Sequence, residues 1–445
     1  MDRPQGRSFF LGDSPIFTHY PNMLYRLVKM LMRSALGMFY RHSMLRNMHH
    51  IALKDAAILI SNHPSSLMDA ALLGVLLKRP IHFFARGDVF MNPVVNSILK
   101  ALHMHPVHHH EGGRDTLTAN DASFEKAITL LHEGALVLFF PEGNSHTDYH
   151  LLSFRKGAFR IALQAVSRKP GLDIQVVPIA INYSHPTAIF SSVWVQAAEP
   201  ISVKNHLENY NEHRAIGIRQ LTRDAENAVR EIAIDAMAGH SPQLFSCLTI
   251  WRNSEHALNI SGEQQIVAEY AISKAQPKWM HHVQLPLQEY EKLLAAYHCT
   301  DEEVVAAGRK KISKAPLLLG FPAAAIGWFL NALPLLLARM ISDKKVKRTD
   351  FYSWVLVVSS ALLYVIWFIC IAVSAIIILT GWQTIGLLFV MVATGQYCWN
   401  YFRYYHQWRL QQNGRRLPEA VRSEMERLRK EILEQINAQS NPDKQ

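Results

Sequence analysis

An apolar run, Ala56 to Ile60, stops at Ser61-Asn62-His63-Pro64-Ser65-Ser66, and a second apolar stretch, Leu67 to Leu77, follows at once with Asp69 near its start. The first run is short enough for a buried strand and the second long enough for a helix. Pro64 disfavours helical geometry at His63 and suits a helix N-terminus, where Ser65 and Ser66 are good cap or first-turn residues. Such a strand-to-helix turn can bring an imidazole and a carboxylate together at the rim of a sheet. The carboxylate fixes the ring's tautomer and stabilises its charged form, leaving the other nitrogen to take a proton from a hydroxyl. No serine or cysteine nucleophile is needed for that chemistry.

The same alternation continues along the chain. Strands are expected at 56–60, 81–85, 104–108, 135–140, 175–181 and 193–197, and helices at 67–77, 93–102, 122–133 and 157–167. Asn120 and Asp121 offer a cap and Gly134 a stop for the helix at 122–133. Alternation of this kind predicts an α/β layered domain with a largely parallel sheet over residues 50–205. Functional groups then collect at the carboxyl ends of the strands. A second polar block, Phe139-Phe140-Pro141-Glu142-Gly143-Asn144-Ser145-His146, falls at such an end.

The two blocks in this order resemble the glycerolipid acyltransferase family, the glycerol-3-phosphate and 1-acylglycerol-3-phosphate O-acyltransferases. The resemblance covers roughly residues 50 to 200. It implies that His63 is the general base, with Asp69 orienting it and balancing its charge. It implies further that Glu142 and Gly143 shape the acceptor pocket, and that Arg155 and Lys156, in Phe154-Arg155-Lys156-Gly157, meet phosphate. Val177-Pro178-Ile179 resembles the family's later Val-Pro block. Three departures stand out: five residues separate His63 from Asp69 where the family has four; Asn144-Ser145-His146 replaces the family's Thr-Arg-Ser; and the family's phosphate-binding arginine falls near His109. Arg114, in Glu111-Gly112-Gly113-Arg114, is the nearest arginine, and Arg86 is a second candidate. A guanidinium in a glycine-rich loop suits bidentate phosphate binding. With Asn62 beside the base, these are the expected substrate-contacting residues.

His103, His105, His108, His109 and His110 cluster along one strand and its end. No Asp, Glu or Cys stands at ligand spacing, and the resembled chemistry needs no metal. A partly charged rim of an anion site is favoured over a metal site for them. The resemblance calls for no cofactor, only an acyl donor as substrate, acyl-CoA or acyl carrier protein.

The 46 Lys and Arg against 36 Asp and Glu favour an anionic partner. The basic residues flank apolar segments instead of an aromatic-studded polar face, which argues for a membrane surface over a nucleic acid. Residues 1–49 carry no signal-peptide pattern, but Leu24, Leu27, Val28, Leu31, Ala35, Met38 and Phe39 fall at helical spacing beside Arg26, Lys29, Arg33 and Arg41. That is a basic amphipathic helix suited to a membrane interface. The four cysteines are scattered and are expected to be reduced thiols.

Residues 206–314 read as helical. Within 315–402, the segments 353–380 and 382–401 are expected to form a transmembrane hairpin. Basic clusters at 344–348 and 403–416 bracket that hairpin, and the turn at 381–383 is neutral. With the catalytic domain on the cytoplasmic face, the segment 315–341, holding Pro316, Pro322, Asn331 and Pro334, is then expected to be re-entrant or interfacial. Residues 403–445 form a basic, helical cytoplasmic tail. The chain is expected to be a membrane-associated acyltransferase with a phosphorylated glycerol acceptor; the competing expectation is a degenerate, lipid-binding membrane scaffold.

Overall fold

The computed structural model describes residues 23–40, 42–51, 55–107, 114–188 and 191–440. They fall into two compact units: residues 1–235 with 348–354, and residues 236–347 with 355–445.

The first unit is a layered α/β domain. In chain order it comprises α1 (Met23–Phe39), β1 (His42–Arg46), β2 (Ala57–Ser61), α2 (Leu67–Leu76), β3 (Ile81–Arg86), α3 (Pro93–Ala101), β4 (Met104–Val107), α4 (Arg114–His132), β5 (Leu136–Phe139), α5 (Gly157–Arg168), β6 (Gln175–Tyr183), β7 (Ser192–Ala197), β8 (Ile201–Ser202), α6 (Leu207–Glu212) and α7 (Arg214–Ile232). The strand order is β1-β7-β6-β2-β5-β3-β4, with β8 on β6. From β6 through β4 all neighbours are parallel. Strand β7 runs antiparallel to β6, and β1 pairs parallel with β7.

All five residues of β2 are buried, because helices cover the sheet and a strand wetted on neither face is apolar throughout. Ile58 and Ile60 meet Ala127 and Leu131 of α4, Phe159 and Ala162 of α5, and Leu221, Ala225 and Val229 of α7 in one core. Ala57 and Leu59 point to the opposite face and are equally buried. Since α7 closes this core, the unit runs to Asp235, beyond the expected boundary at 205.

Helix α1 is amphipathic in an inverted sense. Tyr25, Lys29, Met32, Leu36 and Phe39 are buried, with Lys29 Nζ donating to Leu77 O at 2.6 Å. Leu24, Leu27, Met30, Leu31 and Met38 remain exposed. Arg41 lies outside the described residues.

The histidine cluster differs from expectation. His103, His82 and His105 form a stack with ring separations of 4.8 and 5.4 Å, capped by Tyr25 and Phe84. Burial pushes His82 down to about 3 and His105 to about 4, so these rings are neutral packing groups near pH 7. His108, His109 and His110 lie outside the described residues.

The second unit contains α8 (Ser241–Arg252), α9 (Glu255–Asn259), α10 (Gly262–Lys274), α11 (Gln276–Ala296), α12 (Asp301–Gly308), α13 (Ala315–Lys345), most of α14 (Thr349–Ile378), α15 (Gly381–Arg415) and α16 (Glu419–Ser440). Helix α13 is one continuous helix of 31 residues, and no turn returns the chain as a re-entrant segment requires. Of the positions that argued against immersion, Asn331 and Pro334 lie on its buried stripe with Gly320, Ala324, Gly327 and Ala338, while Pro316 and Pro322 are exposed. Asn331 Nδ2 donates to Gly327 O and to Met391 O, at 2.9 and 3.2 Å, and Tyr364 Oη donates to Asn331 Oδ1. A Cβ at Gly327 would fall 2.5 Å from Thr394 O, so only glycine permits this approach to α15. The opposite face, with Leu318, Leu319, Phe321 and Phe329, is exposed. Helices α13 and α14 are both long and apolar enough to cross a membrane.

Candidate active site

Ile60 of β2 pairs with Phe139 of β5 in parallel register, so the chain leaves both strands at the same edge of the sheet. Two blocks some eighty residues apart therefore meet because their strands are neighbours. The Asn62 side chain hooks this edge to β6: Nδ2 donates to Ile181 O at 3.0 Å and Oδ1 accepts from Ile181 N at 2.8 Å. Both ends of that amide are engaged with main chain, which shapes the turn, and Asn62 also lines the cleft.

His63 is held on every side. Its N–H donates to Glu142 Oε1 at 3.0 Å, its carbonyl accepts from His146 N at 3.2 Å, and its ring lies flat on Phe140, with centroids 3.8 Å apart. Its Nδ1 is 2.9 Å from Asp69 Oδ2. Asp69 is fully buried, and three donors meet its carboxylate: His63 Nδ1, Ser65 N at 2.8 Å and the Tyr183 hydroxyl at 2.7 Å on Oδ1. Burial and the Asp69 charge push the Tyr183 phenol well above its ordinary range, so it remains a donor. A carboxylate with those donors keeps the His63 proton on Nδ1. The lone pair on Nε2 is then available to the cleft bounded by Asn62, His63, Glu142, His146 and Pro186.

The fifth residue between His63 and Asp69 is absorbed at Ser66, whose φ of 46° places a non-glycine residue in a conformation L-residues avoid. This strained turn restores the imidazole–carboxylate contact despite the longer spacing. Ser66 makes no side-chain cap.

Glu142 is a brace. Buried, it accepts from His63 N on Oε1, and from Leu152 N and His146 Nε2 on Oε2 at 3.2 and 3.0 Å. Hydrogen bonding to Glu142 raises the His146 imidazole above its usual range. Gly143 has φ of +75°, and a Cβ there would fall 2.5 Å from Arg155 Nε, so glycine both makes the turn and admits the guanidinium. Arg155 and Lys156 are exposed beside this loop, immediately ahead of α5. Arg86 ends β3, and Arg114 opens α4 and so is helical, not part of a glycine-rich loop; the side chains of both lie outside the described residues. Among the described residues no three His, Cys, Asp or Glu converge to hold a metal ion.

Sequence reasoning missed Tyr183 and His146. Tyr183 ends a strand whose interior, Val176 to Ile181, is apolar, which was the available signal.

Residues 42–182 match the family model described as Acyltransferase. This stretch is similar to acyltransferase domains, and the relatives it matches are named as glycerolipid acyltransferases. The acyltransferase domain is 30% identical over 125 residues to a chloroplastic 1-acyl-sn-glycerol-3-phosphate acyltransferase of Arabidopsis thaliana, a match covering 28% of this chain and 31% of that one. It is 31% identical over 109 residues to the 1-acyl-sn-glycerol-3-phosphate acyltransferase of Bacillus subtilis, covering 24% of this chain and 50% of that one. The crystal structure of the 1-acyl-sn-glycerophosphate acyltransferase of Thermotoga maritima aligns over 46% of this chain and 78% of that one, with 19% identity and a TM-score of 0.32. The chain thus spans half or less of the curated relatives it matches, and the likeness resides in the layered unit.

Proposed function

We propose that the protein is a membrane-associated O-acyltransferase of phospholipid synthesis. It moves a fatty acyl group from acyl-CoA or acyl carrier protein to the hydroxyl of glycerol-3-phosphate or 1-acylglycerol-3-phosphate. The observation that carries this reading is the Tyr183–Asp69–His63 chain, which presents a free imidazole nitrogen to the cleft. His63 Nε2 removes the proton from the acceptor hydroxyl as its oxygen attacks the thioester carbonyl. The C–O bond forms, the C–S bond breaks, and the proton passes from the imidazolium to the departing thiolate. Asp69 stabilises the imidazolium in between. Arg155 and Lys156, exposed beside the motif loop, are cations placed to attract a phosphate, with Arg86 and Arg114 as further candidates.

Membrane association rests on the exposed apolar face of α1 and on the apolar outer faces of α13 and α14. We place the catalytic unit on the cytoplasmic face, from the basic clusters at 344–348 and 403–416. The deciding assay is purified protein in detergent with labelled acyl-CoA and acyl carrier protein thioester, against glycerol-3-phosphate, 1-acylglycerol-3-phosphate and dihydroxyacetone phosphate. Transfer to none of them overturns the reading. For orientation, a cysteine at Gln383 should react with an impermeant reagent in intact cells, while one at Thr349 should not. The reverse pattern overturns the cytoplasmic placement.

A further inference from the structure

Residues 348–354 belong to the layered unit although some two hundred residues separate them from its motif loops. Asp350, in the first turn of α14, is 5% exposed and has no place in the proton transfer proposed above. Its carboxylate accepts a hydrogen bond from Ser145 Oγ, and further bonds from Arg348 Nε at 3.1 Å and Nη2 at 2.8 Å. Arg348 Nη2 also lies 3.4 Å from Ser145 O. One turn later Ser353, fully buried, donates to Pro186 O at 2.7 Å.

Ser145 and Pro186 sit on the two loops that frame the His63 cleft. Pro186 lines that cleft directly. Ser145 precedes His146, whose N–H meets His63 O and whose ring holds Glu142, the acceptor for His63 N. A continuous hydrogen-bonded path therefore runs from Asp350 through the Ser145–His146 loop to the main chain of His63. The path includes two buried carboxylates, Asp350 and Glu142, both hydrogen-bonded. A carboxylate in the first turn of α14 is also favoured by that helix's unpaired N–H groups.

We infer that Asp350 is a positioning residue for acyl transfer: it fixes Ser145, and through the His146–Glu142 brace it sets the position of His63. The inference rests on the acyltransferase reading of the site. Asp350→Ala in the full chain should lower kcat about tenfold, because small displacements of a base are costly, with both substrate KM values within about twofold. Ser145→Ala should cause a similar loss. The double variant should be no worse than the poorer single, since both substitutions remove the same Ser145–Asp350 bond. Asp350→Asn retains an acceptor for the Ser145 hydroxyl and should restore most of the rate.

Hydrogen exchange supplies a readout that needs no activity. Peptides covering 140–150 should exchange faster in Asp350→Ala, while those covering α5 should not change. Unaltered kcat in Asp350→Ala, additive losses in the double variant, or exchange that quickens throughout the layered unit would each overturn the inference. Failure of the acyltransferase reading shows separately, as wild-type protein that acylates no acceptor; the exchange experiment then still decides whether Asp350 holds the loop.

Discussion

Tyr183 lies 114 residues beyond Asp69 in the chain, yet its hydroxyl stands 2.7 Å from Asp69 Oδ1, the oxygen that His63 does not use. The carboxylate is thus held from two sides, and the tyrosine decides which oxygen is left for the imidazole. Tyr183→Phe removes one donor from a buried acid without changing the shape of the core. The expected result is a loss of about 1–3 kcal/mol in stability and a fall in kcat with little change in KM. Urea denaturation and steady-state kinetics on the same preparation measure both.

His63→Ala should reduce acyl transfer by about a hundred- to ten-thousand-fold, the usual contribution of a general base. Membrane association should persist, since the ring's contacts are with Asp69, Phe140 and the cleft. Membrane-fraction yield and labelled-acyl assays check the two halves. Full activity in this variant would end the proposed mechanism.

Ser66 carries backbone strain that glycine relieves. Ser66→Gly should leave activity and stability intact, or raise stability slightly. Ser66→Val should cost about 1–3 kcal/mol and displace Asp69 from His63, because a β-branched residue resists positive φ. Denaturation midpoints of the pair, compared with their kcat values, test the point.

The histidine stack makes the layered unit sensitive to acid. In the unfolded chain these imidazoles titrate near pH 6.5, whereas in the fold burial lowers His82 to about 3 and His105 to about 4. Their neutral form is the folded form. Stability is therefore fully present above about pH 6.5 and falls as pH drops from there toward 4, because the unfolded state binds protons first. His105→Phe, which preserves an aromatic ring, should lessen that fall. Urea midpoints between pH 7.5 and 5 measure it, and equal slopes in both proteins would contradict the assignment.

His146 behaves in the opposite sense. Its imidazole is raised by Glu142, so the stability it contributes is present below the unfolded value and is lost as pH rises through the folded one. His146→Gln should flatten the decline of stability above pH 6.5, read from urea midpoints. A wild-type decline in that variant would contradict the contribution assigned to His146.

Much of the layered unit was legible because buried parallel strands are apolar along their whole length, and Ala56–Ile60 and Gln175–Ile181 carry that signature. The His63 and Glu142 blocks were legible because each interrupts such a strand with polar residues. What joins them was not, since nothing in the sequence states that β2 and β5 are neighbours. Strand β1, His-Ser-Met-Leu-Arg, has no strand pattern and forms only because β7 offers it an edge. Asn62 and Glu142 line the cleft as expected of residues near a substrate, and what the sequence did not show is that their polar atoms also bind main chain and His146. The prolines and Asn331 of α13 argued for a re-entrant or interfacial segment, whereas the helix runs unbroken: Trp367 Nε1 donates to Leu330 O, the carbonyl Pro334 leaves unpaired, and Asn331 donates to Met391 O.

The return of residues 348–354 to the layered unit means that chain order and structural order disagree. A hybrid joined between 235 and 347 would take its catalytic sheet from one parent, and the residues contacting Ser145 and Pro186 from the other. Parents whose counterparts of Asp350 and Ser353 differ would yield a hybrid that inserts and folds yet turns over slowly. Its repair would lie in seven residues ahead of the long apolar helix, and not in any of the acyltransferase motifs.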